Sequence, residues 1–195
     1  IHMPYDRDVD DEYLALVDAR NVFVVPTLGM VTRREPYRRP VFEDPFFQEQ
    51  VSPAVVSRLR EEAVGGPGGE RPRTAAAVER ARVIADNFAK LADHVILGTD
   101  AGAVGDFFGY ADHLELELFV RLGMTPSQAI VAATQRAAEA FGLTHVGTVA
   151  AGQSADFVVL DANPLDDITN TRHISRVFLR GEEIDRDGLR SAWTQ

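Results

Sequence analysis

The sequence predicts an α/β fold that gives way, after Gly142, to a small all-β portion. Three observations predict it. Two continuous apolar runs, Val22-Phe23-Val24-Val25 and Val95-Ile96-Leu97, have the form of strands buried on both faces, as in a parallel sheet covered by helices. A segment of helical periodicity precedes each run. Beyond Gly142 the periodicity shortens to strand-like pieces separated by turn residues.

The elements follow in order. Val9, Tyr13, Leu14, Leu16 and Val17 give a helix over Asp8 to Arg20, with Asp8 or Asp10 as its cap. The first apolar run is stopped by Pro26. Gly29 to Ser52 is rich in Arg, Pro and Phe, has no clear period and reads as a long loop. Ser52-Pro53 starts a helix to about Val64, and Gly65-Gly66-Pro67-Gly68-Gly69 ends it. Thr74 to Leu91 is a long amphipathic helix with Val78, Ala81, Ile84, Ala85 and Phe88 on one face. The second apolar run ends at Gly98-Thr99-Asp100. Helices at about Asp112 to Leu122 and Pro126 to Phe141 come next. Val146 to Val149, Phe157 to Leu160 and Val177 to Leu179 read as strands, with a hairpin turn at Arg180-Gly181-Glu182-Glu183. From Gly188 a loosely held tail is expected.

Composition narrows the function. With 45% hydrophobic and 26% charged residues among 195, the chain is long enough for a sizeable core. A net charge of -10 argues against nucleic acid and anionic membranes, which need clustered cationic charge. There is no cysteine, so a metal here must sit on His, Asp or Glu. No apolar run approaches the roughly 18 residues of a membrane span. The first residues, Ile1-His2-Met3-Pro4, lack the cationic and apolar stretches of a signal peptide. A soluble, cytoplasmic protein is the expectation. The first residue is not Met, which weakens that expectation.

Asp100 is the first candidate for chemistry. In parallel α/β folds, functional side chains gather at the C-terminal ends of strands, and Asp100 stands there between Gly98 and Gly102. A cap for the following turn is the competing role for such an aspartate.

The stretch from His94 to Asp185 resembles the amidohydrolase superfamily, in its imidazolonepropionase-like and Xaa-Pro-dipeptidase-like branch. The matching pieces are Gly98-Thr99-Asp100-Ala101-Gly102, His113-Leu114-Glu115-Leu116, Gly123-Met124-Thr125-Pro126, Ala129-Ile130 and Ala132-Ala133-Thr134. Gly147-Thr148-Val149, Gly152-Gln153-Ser154-Ala155-Asp156, Asp161-Ala162-Asn163-Pro164-Leu165 and Arg180-Gly181 complete them. Each piece is weak, but their order and spacing are specific. The likeness reaches upstream through Asp6-Arg7-Asp8-Val9-Asp10 and Val25-Pro26-Thr27-Leu28. It is poorest over the insert from Met30 to Arg73.

This resemblance implies a C-terminal portion of a (β/α)8 TIM-type barrel over residues 1–143, part of a small β-sandwich over 144–187 and a tail over 188–195. It implies a small-molecule substrate and one or two divalent metals, zinc first, at the barrel mouth. Asp100 matches the family's last metal-binding aspartate, which also takes the proton from the attacking water. His2 matches the sixth-strand histidine ligand, because Asp6-Arg7-x-Val9-Asp10 follows at the family spacing; a cloning remnant before Met3 is the rival origin.

The chain also departs from the family. A barrel takes about 250 residues, there is no His-x-His, and the sole lysine, Lys90, lies in a helix. Two ligands are too few for a hydrolytic metal site. The expectation is therefore a fragment, inactive alone, that self-associates or pairs with its missing N-terminal part. His113 and Glu115 are candidate substrate contacts, with a solvated helix face as the alternative. Tyr5 is a further candidate, beside Arg33, Arg34, Arg38 and Arg39, whose guanidinium forks suit a carboxylate. His94, His145 and His173 read as structural or surface residues. Hydrolysis of an amide or cyclic amide C–N bond leads. Heterocycle deamination, lactone opening and a non-catalytic remnant stay open.

Overall fold

The computed structural model describes residues 1–32, 41–65, 74–102 and 107–193. Three short extended segments run side by side in parallel. His2 pairs with Val25, and Val24 pairs with Val95. The Val25 N–H donates to Ile1 O at 2.7 Å, Val24 N–H to His94 O at 2.9 Å and Ile96 N–H to Val24 O at 3.0 Å. Val24 and Val95 are fully buried, as expected of apolar runs covered on both faces. At Gly98 the second and third segments converge, and a Cβ there would lie 2.5 Å from Val25 Cγ1. Only glycine fits that approach.

Helices pack around this layer. Helix α1 (Asp11–Arg20) starts at Asp10, whose side chain accepts from Tyr13 N–H, and ends at Asn21 in the left-handed region. Helix α2 (Leu28–Thr32) occupies the start of the segment expected to be irregular. A 3₁₀ turn at Val41–Glu43 and helix α3 (Pro45–Gln50) follow within it. Asp44 caps α3 by accepting from Phe46 N–H at 2.9 Å. The helix forms because Phe47 is fully buried, with Phe107 and Tyr110 rings at 4.8 and 5.2 Å. Burying such a ring stabilises by about 1.5–3 kcal/mol, enough to order a segment without periodicity.

Helix α4 (Pro53–Gly65) begins as the sequence predicts and extends to the last described residue before 66–73. Helix α5 (Ala75–Leu91) buries Val83, Ile84, Asn87, Phe88 and Leu91. The expected stripe is thus rotated: Ile84 and Phe88 belong to it, whereas Val78 is 53% exposed. Helix α6 (Tyr110–Arg121) packs Phe119 on Phe88 at 5.3 Å between ring centroids.

The helix predicted over Pro126 to Phe141 is two: α7 (Pro126–Ala133), opened by a Thr125/Gln128 capping box, and α8 (Gln135–Ala140). The break at Thr134 has a physical cause. Ala132 O accepts from Leu97 N–H at 3.2 Å, outside the helical ladder. Arg136 holds α8 by donating to Ala92 O and Val95 O at 2.8 and 2.9 Å.

The C-terminal portion holds one antiparallel sheet among the described residues, in the order β1 (Phe157–Leu160), β2 (Ile174–Leu179), β3 (Glu182–Glu183). The hairpin turn is the two residues Arg180-Gly181, at φ 53° and 83°. Glu182 and Glu183 are paired with Leu179 and Phe178 instead of turning. Two positive φ values match the twist that a two-residue hairpin needs.

Two expectations are corrected. Val146 to Val149 forms no strand, because Gly147 bends away at φ 92° against Ala138, and Val149 is 92% exposed. The expected loose tail is helix α9 (Arg186–Trp193), opened by Asp185, which accepts from Gly188 N–H at 2.9 Å. Residues 194–195 lie outside the described set.

Arg172, in the 3₁₀ turn Ile168–Arg172, ties the parts together. Its side chain is 13% exposed and lies 2.7 Å from Glu117 of α6 and 3.4 Å from Asp44 before α3. Its guanidinium also covers the Tyr110 ring at 5.7 Å.

Candidate functional site

Asp100 stands just past the C-terminal end of the third parallel segment. Its backbone is left-handed, at φ 53°, and its side chain faces solvent. Aspartate tolerates that conformation better than most residues. Among the described residues the carboxylate makes no hydrogen bond or ion pair, so its acceptor capacity is open to a ligand. The turn is set by Thr99, whose Oγ1 accepts from Ala101 N–H at 3.3 Å.

His2 is exposed, two segments away. Its register with Val25, and that of Val24 with Val95, put it level with Ile96, four residues before Asp100. Tyr5 follows it and is 47% exposed. The stretch between them and α1 is held by Asn87, a fully buried residue of α5. Asn87 Oδ1 accepts from Val9 N–H at 2.9 Å, and its Nδ2 donates to Pro4 O and Arg7 O at 2.8 and 2.9 Å. Lys90 Nζ adds a bond to Val9 O at 3.2 Å. Sequence reasoning missed Asn87. The signal was a polar residue in phase with Ile84 and Leu91 on an apolar helix face.

Glu115 is fully buried, which excludes the solvated helix face. Its Oε1 accepts from Leu28 N–H at 2.7 Å and its Oε2 from Gly29 N–H at 2.8 Å. Both oxygens are thus engaged by the first turn of α2, so Glu115 positions that backbone. His113 is half-buried, with Nδ1 3.0 Å from Thr171 Oγ1 and its ring edge-on to Phe46 at 5.0 Å. Burial first, then the Arg172 charge, lowers its pKa to about 4, against an opposing pull from Asp44. It borders a hollow of about 240 Å³ that Tyr110, Gln50 and Arg186 also line.

His94 is structural: its Nε2 lies 2.7 Å from Asp18 of α1. His145 and His173 are exposed. Arg33, Arg34, Arg38 and Arg39 lie outside the described residues.

Among the described residues, no group of three or more His, Cys, Asp or Glu side chains is placed to hold a metal ion. His2 and Asp100 have the donor chemistry for zinc, but hydrolytic sites use at least three protein ligands. The donors among the described residues do not fit a resident metal by themselves.

With this geometry in place, comparison with known proteins is informative. The model of the Amidohydrolase family matches residues 47–184. The imidazolonepropionase of Deinococcus radiodurans is 36% identical over 94 residues, covering 46% of this chain and 23% of that protein. An adenine deaminase of Nitratidesulfovibrio vulgaris is 39% identical over 80 residues, covering 41% of this chain and 13% of that protein. A solved Xaa-Pro dipeptidase superposes with a TM-score of 0.61 at 20% identity, over 94% of this chain and 39% of its own. Molinate hydrolase gives 0.60 at 21% identity, over 94% and 37%. The fold is therefore shared across nearly the whole chain, which spans well under half the length of each of these proteins.

Proposed function

The chain belongs to the amidohydrolase family, and on that premise we propose that it is the part of a hydrolase of amide or cyclic amide C–N bonds that carries the proton-transferring carboxylate, Asp100. One observation carries this: within the family match, an exposed aspartate with no protein partner among the described residues stands beyond the end of a parallel strand. Its carboxylate accepts a proton from the attacking water and returns it to the departing nitrogen. His2 supplies an imidazole to the same mouth.

In the complete protein His2 and Asp100 would help to hold one or two divalent ions, zinc first, together with further ligands. Such an ion would supply a more acidic water, with a pKa of about 7. The 195-residue chain by itself is inactive on this reading. Residues 1–143 form part of a (β/α)8 barrel and residues 144–187 part of a β-sandwich. Tyr5, His113 and Glu115 are the candidate substrate contacts among the described residues; Arg33 and Arg34, the other candidates, lie outside them. The chain associates with the remaining part of the protein or with itself, and uses neither nucleic acid nor membrane. Among the described residues no helix is long and apolar enough to cross a bilayer.

A second reading, deamination of a heterocycle, draws on the likeness to adenine deaminases. Assay of the complete protein against N-acyl amino acids, cyclic amides and aminopurines separates the two. Asp100→Asn abolishes turnover of whichever substrate is accepted, with circular dichroism and melting unchanged. Near-normal turnover by that variant overturns the proposal.

A further inference from the structure

Helix α5 does more than fill the space between the second and third parallel segments. Its C-terminal half grips the stretch that leaves His2. The grip centres on Asn87, which satisfies one N–H and two carbonyls between residues 4 and 9. Only one orientation of the amide serves all three, because the oxygen must meet the Val9 N–H and the nitrogen the two carbonyls. Arg82 reinforces it from the surface, with two nitrogens 3.1 and 2.8 Å from the oxygens of Asp8. Three turns of one helix thus fix a segment some eighty residues earlier in the chain. The same helix ends at Leu91, and a 3₁₀ turn, Ala92–His94, leads from it directly into the segment that ends at Asp100.

We propose that Asn87 is a positioning residue: it sets the path of residues 4–9, and with it the placement of Tyr5 at the candidate mouth. The structural relation stands on the hydrogen bonds alone; its consequence for a substrate contact rests on the function proposed above. A buried amide suits this task. An isosteric apolar residue would leave two carbonyls and an N–H without partners. A carboxylate would keep the Val9 bond but turn an oxygen toward the two carbonyls, which repel it.

Amide hydrogen exchange and aromatic carbon–proton NMR on the 195-residue chain test this with Asn87→Asp and Asn87→Ala. Exchange of the Val9 amide should rise about tenfold or more in the Ala variant and less in the Asp variant. The Tyr5 ring signal should shift or broaden. The amides of α6 and α7 and the His173 signal should stay where they are.

A uniform rise across the chain, or an unmoved Tyr5 signal, overturns the proposal. So does failure of Asn87→Asp to fold, because the side chain would then support the whole core and not one segment. In the complete protein, both Asn87→Asp and Tyr5→Phe should raise KM for the accepted substrate with kcat less changed. If Tyr5→Phe leaves KM unchanged, the reading of Tyr5 as a substrate contact fails while the exchange result still decides the role of Asn87.

Discussion

Glu115 and Leu28, 87 residues apart, are joined by a 2.7 Å hydrogen bond from the Leu28 amide to a carboxylate with no solvent exposure. The neighbouring Gly29 amide takes the second oxygen. A carboxylate at the start of a helix satisfies backbone donors that have no partner within the helix. Here it also fixes the path of the chain just beyond the second parallel segment. Glu115→Gln replaces one acceptor by an NH2 group facing an N–H. It should destabilise the chain by about 2–4 kcal/mol, read as a lower urea midpoint at unchanged slope. A shift within error would show that the buried carboxylate is not needed as such.

His113 gives a pH dependence with a definite sign. Folded, its pKa is about 4 against an ordinary 6.5, so between those values the unfolded chain binds a proton that the folded chain does not. Stability therefore falls as pH drops from about 6.5 to about 4, by an amount on the order of 2–3 kcal/mol. Urea unfolding at pH 7 and pH 4.5 measures it. His113→Gln should flatten this part of the profile, and an identical profile in that variant would assign the loss to other groups.

Arg172 joins α6, the insert and the C-terminal portion through Glu117, Asp44 and the Tyr110 ring. Arg172→Met keeps much of the volume but leaves Asp44 without its cation and Glu117 with Arg121 alone, at 2.6 Å. The expected cost is about 1–3 kcal/mol. Cleavage by a protease within residues 41–65 should also become faster, because Asp44 loses an anchor. Unchanged cleavage would mean that Phe47 alone holds the insert.

Arg180 occupies a left-handed position in the hairpin at φ 53°, where asparagine or glycine is favoured. Arg180→Asn should raise the melting midpoint, by about 0.5–1 kcal/mol in stability. The Asp156 side chain that accepts the Arg180 N–H at 2.6 Å keeps its partner in the variant. Gly181→Ala, at φ 83°, should act in the opposite direction.

Much of this fold was legible because its signals are local. Asp10, Thr125-Pro126 and Pro53 mark helix starts through bonds that span a few residues. The runs at Val24 and Val95 announce burial on both faces. The position of Asp100 just past such a run was legible for the same reason. What stayed hidden depends on partners distant in sequence. Helix α3 is ordered by Phe107 and Tyr110, some sixty residues later. The bonds from Leu28 and Gly29 to Glu115 stayed hidden because nothing near it in sequence reveals that those amides need an acceptor. Asn87 stood in plain view on an apolar stripe, but its three partners lie across the fold. The break at Thr134 follows from a carbonyl claimed by Leu97, which no periodicity records.

That claimed carbonyl has a consequence for assembly. The Leu97 amide points away from Val24, toward the open side of the parallel layer, where another strand would normally dock. Ala132 of α7 already receives its proton. Any newcomer along that border must first displace a helix carbonyl, so the rim behaves as a latched one: shielded from casual sheet extension and aggregation, and opened only by a partner that can replace the bond it breaks.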